Sequence, residues 1–167
     1  MVKMGKIIAV IMILGGVFLF PLAAETEWSQ ERIDLQGIYI PHLREMGYLP
    51  DTDNDGDIQF KVSGVNYFII IDDKDLEFFQ VYTAFRLPDI TWESAINAAN
   101  EANRTSKVAK ISLRPELNEE GEIAGVIVSI TAELLLNDPW DFAPVFSRVL
   151  SLIRNAETNF INNIYQR

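Results

Sequence analysis

The sequence predicts an α+β domain: an antiparallel five-stranded sheet with helices on one face, in the order α-β-β-β-α-β-β-α. Three observations carry this. Runs such as "DIQFKV" alternate apolar and polar residues, the period of a half-buried strand. Short turn segments ("SGVN", "DDKD", "NEEGE") divide the runs, so consecutive strands return as hairpins. Three further segments repeat apolar residues at roughly helical spacing, and strands in meanders with helices between them imply helices packed on one side of a sheet.

The elements follow in order. In "TEWSQERIDLQGIYIPHLREMGYLP", Ile33, Tyr39, Ile40 and Leu43 recur at roughly helical spacing, Pro41 marks a break or start, and Gly47 and Pro50 stop the segment. A short helix over Ile40 to Met46 is expected. "DIQFKV" and "NYFIII" form a hairpin in which Ile58, Phe60 and Val62 share the buried face. "LEFFQVYTAFRL", Leu76 to Leu87, is a third strand, rich in aromatic and β-branched residues. "PDITWESAINAANEANRTS" is a helix that Asp89 or Thr91 caps, with Trp92, Ala95, Ile96 and Ala99 on its apolar face. "KVAKISLRPEL" and "IAGVIVSITAELLL" are two more strands. The closing "NDPWDFAPVFSRVLSLIRNAETNFINNIYQR" is a long helix capped by Asp138, with Pro139 first and Pro144 inside the opening turn. Phe142, Val145, Phe146, Val149, Leu150, Ile153, Phe160, Ile161 and Ile164 make its apolar stripe.

Residues 1–24 read as a secretory signal peptide. Lys3 and Lys6 precede an uncharged apolar run from Ile7 to Phe20, Pro21 breaks it, and cleavage is expected after Ala24. The apolar run is shorter than the ~20 residues that span a bilayer comfortably, so an uncleaved anchor is the lesser reading. Residues 25–167 then form one domain in the periplasm or outside the cell, with no stable membrane association. The chain holds no cysteine, which excludes disulfides and a lipidated N-terminal cysteine. Its 14 Lys and Arg against 24 Asp and Glu give a net charge of −10, and loss of Lys3 and Lys6 takes this to −12. Such an acid excess argues against nucleic acid, where Lys and Arg supply the affinity by neutralising phosphate.

The strongest local signal is "DTDNDGDI". Asp51, Asp53, Asp55 and Gly56 match places 1, 3, 5 and 6 of an EF-hand loop. Place 12, which needs a bidentate glutamate, is Val62, and "DIQFKV" is a strand where an EF-hand requires a helix. The segment is therefore expected to be a turn built on Asx hydrogen bonds, with Gly56 at positive φ, and to hold calcium weakly at most. His42 is the single histidine, so no multi-histidine or Cys/His zinc site can form, and a packing or surface role is expected. Asp72, Asp73 and Asp75 in "DDKD" are read as a hairpin turn rather than an acid/base pair, which would need a desolvated site. No nucleophile-elbow, zinc-protease, phosphate-loop or dinucleotide motif occurs. No catalytic residue, metal or cofactor is expected.

The "EFFQVYTAF" strand is apolar on both faces, because the adjacent Phe78 and Phe79 must point opposite ways. Helices can cover one face. Phe78, Phe79 and Phe85 are accordingly the candidate partner-binding residues, placed at or near a dimer or partner surface.

The chain resembles the YbjN-domain family of bacterial proteins, whose fold is similar to type III secretion chaperones. The resemblance lies in "LREMGYLPDTDNDGDIQFKVSGVNYFIIID", "AANEANRTSKVAKISL" and "VFSRVLSLIRNAETNFINNI", and covers Ile38 to Ile164. It makes residues 25–167 a single YbjN-like domain, in which the "NEAN" stretch, Asn100 to Asn103, would end the middle helix as a C-cap. It implies a chaperone-like protein, often dimeric, linked to sensory or stress regulation and without enzyme activity. Family members often lack an export signal, and this chain departs from them there. The expected function is an exported, non-enzymatic protein-binding module acting as a homodimer. The alternative is a small-ligand or weak calcium sensor in the cell envelope.

Overall fold

The computed structural model describes residues 28–165. The expected leader and its cleavage point lie outside them. The described chain is α+β, with the elements α1 (Gln30–Glu45), β1 (Asp51–Thr52), β2 (Ile58–Val62), β3 (Val65–Ile70), β4 (Phe78–Pro88), α2 (Trp92–Thr105), β5 (Ala109–Leu117), β6 (Ile123–Leu135) and α3 (Phe142–Tyr165). A 3₁₀ turn, Pro139–Asp141, leads into α3.

The sheet has six antiparallel strands, not five, in the spatial order β1-β2-β3-β4-β6-β5. The added strand is β1, two residues inside the acidic turn that fold back so that Asp51 pairs with Gln59 and Thr52 with Ile58. Two residues show no periodicity, so pattern reading had nothing to find. The order also differs from a simple meander at one point. After α2 the chain starts β5 at the far edge, and β6 returns between β5 and β4, pairing with both.

The first helix is longer than expected. Ser29 caps it, accepting from the Arg32 amide, and Pro41 lies inside it. Proline removes the N–H that would reach the Gly37 carbonyl. Gly37 and Pro41 both lie on the exposed side, where that carbonyl is open to solvent, and Gly37 adds no side chain to crowd the ring. The buried stripe is Leu35, Tyr39 and Leu43, at strict i, i+4 spacing, while Ile33 is exposed. The helix ends in a Schellman motif: the Gly47 amide bonds the Arg44 carbonyl and the Tyr48 amide bonds that of Leu43, with Gly47 at φ +86°. Thr91 caps α2 and Asp138 caps the 3₁₀ turn, while Pro144 stays in the opening turn of α3.

All three helices serve one face of the sheet. Paired residues in an antiparallel ladder share a face. Ile58 pairs with Ile69, Ile69 with Val81, Val81 with Ala132 and Ala132 with Ala109, and every one of these is buried. Phe142, Phe146, Val149, Ile153 and Phe160 of α3 complete this core, as do the small residues Ala95, Ala98, Ala99 and Ala102 of α2. Thr83 is the single buried polar residue of the core face among those described, and its hydroxyl donates to the Asn66 carbonyl at 2.7 Å.

The β5 edge is closed by the last turn of α2. The Asn103 carboxamide donates to the Ile111 carbonyl at 2.9 Å and accepts from the Ile111 amide at 2.8 Å, as a neighbouring strand would. Ser106 donates to the Ala109 carbonyl, and Pro115, four residues on from Ile111 and so of the same parity along β5, offers no N–H. Asn103 therefore does not act as the expected helix C-cap. It blocks an edge that would otherwise pair with other chains.

Candidate functional site

The face away from the helices is built by the other half of each strand alternation. Phe68 and Ile70 on β3, Phe78 and Tyr82 on β4, and Ile127 and Leu135 on β6 occupy it, all partly exposed and Leu135 77% exposed. At its centre the Phe68 and Tyr82 rings lie 4.8 Å apart at 15°. This stack follows from register, because the two residues pair directly across β3 and β4. Polar residues frame the stripe: Asp51 and Gln59 toward the β1 edge, Lys110, Ser112 and Arg114 along β5, with Arg86 ion-paired to Glu116. The apolar side chains thus lie inside a polar surround.

A polar corner adjoins this face where the acidic turn meets the start of α1. The Arg32 guanidinium donates to the Asp55 carbonyl at 2.9 Å and lies 3.5 Å from Asp57 and 3.8 Å from Asp73. The Trp28 ring lies against it, 5.4 Å away. Asp53 accepts from the amides of Asp55 and Asp57, each at 3.0 Å, and Asp57 accepts from that of Ile71 at 2.9 Å. Gly56 is required twice over. Its φ is +80°, and a Cβ there would stand 2.8 Å from Arg32 Cδ.

Burial pushes the Asp57 carboxyl above its ordinary range, against the Ile71 amide and Arg32, which act to lower it. Asp73 is held below that range, first by the Ser29 hydroxyl, which donates to it at 2.6 Å, and also by Arg32. Burial raises the Tyr82 hydroxyl too, and the field of Asp57, Asp53 and Asp55 adds to the rise. The corner thus spends its carboxylates on backbone amides, Ser29 and Arg32, ordering the turn and tying α1 to the sheet. Val62 lies at the end of β2, away from this cluster. Among the described residues, no group of three His, Asp or Glu side chains is arranged to hold a metal ion. Asp72 accepts from the Lys74 amide at 2.9 Å and forms a turn.

Of the three candidate partner-binding residues, one reaches the open face. Phe78 lies there, half-buried. Phe79 is fully buried beneath the helices, 5.6 Å from the Tyr39 ring and 5.7 Å from that of Phe142. Phe85 pairs with Val128 on the helix side, half-buried against the core. Strand β4 is central, flanked by β3 and β6, so its position alone accounts for apolar residues on both faces. His42 packs edge-on against Phe142 with ring centroids 4.8 Å apart. Sequence reasoning missed Phe68, Tyr82, Asp51 and Lys110 as one set. Phe68 has the parity of Asn66, and Tyr82 that of Gln80, polar residues of the wet side, and this was the available signal.

No family model matches the chain, and no curated protein matches it. Its fold is similar to the crystal structure of YbjN from E. coli, for which a role as transcription regulator has been suggested. That likeness has a TM-score of 0.51 at 12% identity, over 76% of this chain and 90% of that one. An uncharacterized protein from Methanothermobacter thermautotrophicus is similar as well, with a TM-score of 0.50 at 11% identity, over 79% of this chain and 95% of that one. The chain has a YbjN-like fold, and at such identity the fold is what the likeness shows.

Proposed function

We propose that this chain is an exported, non-enzymatic protein-contact module that meets its partner through the open face of its sheet. The observation that carries the reading is the partly exposed stripe around the Phe68–Tyr82 stack, framed by charge. Contiguous apolar surface of this kind, rimmed by polar residues, marks interaction sites on soluble proteins. A sheet face left open by the described helices suits an extended or partly folded segment, in the chaperone-like manner that the family resemblance implies. The basic, apolar and small-residue order of residues 1–24 supports export. The suggested regulator role belongs to the E. coli protein. A net charge of −10 argues against its transfer to this chain by direct contact with DNA.

The test is co-purification from the native cell envelope, comparing wild type with Tyr82→Asp and Ile127→Asp. Loss of the bound protein in both variants, with an unchanged circular dichroism spectrum, is the expected result. Retention of the same partner by both would overturn the reading. Intact mass should start at Glu25, and a form keeping Met1 would overturn the export half.

A further inference from the structure

We propose a second binding site, independent of the open sheet face: a recess between α3 and the β2–β3 hairpin that takes a small apolar α-amino acid as its zwitterion.

The recess lies on the helix side of the sheet and has a volume of about 360 Å³. That is near the low end of the ~300–1,000 Å³ of small-ligand sites. Val62 and Val65, on either side of the hairpin turn, and Ile161 of α3 give it an apolar wall. Its polar groups come from two elements that meet there, Tyr67 from β3 and Arg154 and Glu157 from α3.

Tyr67 is 2% exposed, and its ring stacks on Phe60 with centroids 5.8 Å apart at 27°. A phenol buried this deeply ordinarily finds a hydrogen-bond partner. Within the described chain no hydrogen bond engages the Tyr67 hydroxyl. Nor is that hydroxyl sealed into the core, as the Tyr39 hydroxyl is; it opens on the recess. Burial holds it above its ordinary range, the Glu157 carboxylate adds to the rise and Arg154 opposes it, so the three groups share one space.

Arg154 and Glu157 are three residues apart on α3, neighbours on one helix face and within reach of an ion pair. Among the described residues, neither enters one. Glu157 is half-buried all the same, and a carboxylate withdrawn from water without a cation is a burden on the fold. Burden without structural return is the mark of a functional group.

A cation and an anion side by side, with a hydroxyl facing both, select a molecule that carries both charges. Phosphate would meet the Glu157 carboxylate, and a simple amine would meet Arg154. A peptide end carries only one of the two charges at its terminal Cα. A sugar finds no free aromatic face, because the Tyr67 ring is spent on Phe60. An α-amino acid satisfies the whole set. Its carboxylate meets the Arg154 fork and the Tyr67 hydroxyl, its ammonium meets Glu157, and its side chain lies on Val62, Val65 and Ile161.

The experiment is isothermal titration calorimetry of the protein, purified as its host processes it. The probes are L-alanine, L-valine, L-leucine and L-isoleucine, each alone, and the analogues of the tightest binder that lack its ammonium or its carboxylate (4-methylpentanoate and 3-methylbutylamine for leucine). At least one amino acid should bind with a dissociation constant of about 1 mM or tighter. Each analogue should bind about tenfold more weakly or worse. Arg154→Gln and Tyr67→Phe should each weaken the amino acid, by about tenfold and a few-fold. Arg154 is exposed and Tyr67→Phe keeps the ring, so the fold is not at stake. Glu157→Gln should weaken the amino acid about tenfold yet tighten the deaminated acid, because the repelling carboxylate is gone. A variant that merely loosened the fold would weaken both. Binding of none of the four amino acids would overturn the site. So would a deaminated acid that binds wild type as well as the amino acid does, or amino-acid binding unchanged by any of the three substitutions.

Discussion

The Phe68 and Tyr82 rings stack 4.8 Å apart on the side of the sheet that none of the described helices covers. Such a pair is worth about 0.5–1.5 kcal/mol to the fold. Tyr82→Ala should therefore lower unfolding free energy by only about 1–2 kcal/mol in urea titration. A loss of about 4 kcal/mol would mean that the residue is core, not surface.

Phe79 sits on the other side of the same strand, buried against Tyr39 and Phe142. Phe79→Ala leaves a cavity beneath the helices and should cost about 3–5 kcal/mol. Phe78→Ala, one residue away, should cost well under half of that. Equal losses on denaturation would contradict the assignment of faces.

Asn103 stands in for a seventh strand at Ile111. Asn103→Ala leaves a partly buried amide and carbonyl without partners, at about 1–3 kcal/mol. It also uncovers a sheet edge, so aggregation on heating should begin at a lower temperature than for wild type. Light scattering during a thermal ramp reads this, and an unchanged onset would show that the edge needs no seal.

Much of the fold was legible because it depends on period. Strand alternation placed Ile58, Phe60 and Val62 correctly on one face. Thr91 was one of two readable caps beside Asp89, and Asp138 was readable as a cap, though it caps the 3₁₀ turn that leads into α3. What was not legible depends on partners distant in sequence. Pro41 looked like a boundary, yet an exposed Gly37 carbonyl lets the helix run through it. Strand β1 exists only because Asp51 meets Gln59. The candidate site was half legible. Two aromatic faces on one strand were evident, but which phenylalanine faces outward is fixed by register with β3 and β6, and a one-residue difference reverses the answer. The stripe across three strands needed the sheet order, which places β6 beside β4.

Glu157 on α3 is pushed above the ordinary carboxylate range by burial, with Arg154 acting the other way. The folded state thus holds this proton more tightly than the unfolded chain, and ionising the group costs stability as pH rises through its raised pKa. Glu157→Gln should be more stable than wild type at neutral pH. The difference should close as pH falls below the ordinary glutamate range, where both forms are neutral. Urea midpoints at several pH values measure this, and a constant difference would contradict the burial.

The central claim, that the open sheet face is the contact surface, is tested most directly by hydroxyl-radical footprinting of the assembled protein against the same protein diluted or stripped of its partner. Two other exposed apolar residues serve as controls: Leu49, 90% exposed before β1, and Trp140, 63% exposed before α3. On assembly, labelling of Phe68, Tyr82 and Ile127 should fall several-fold while Leu49 and Trp140 stay unchanged. Protection of Leu49 or Trp140, with Tyr82 labelled as before, would contradict it.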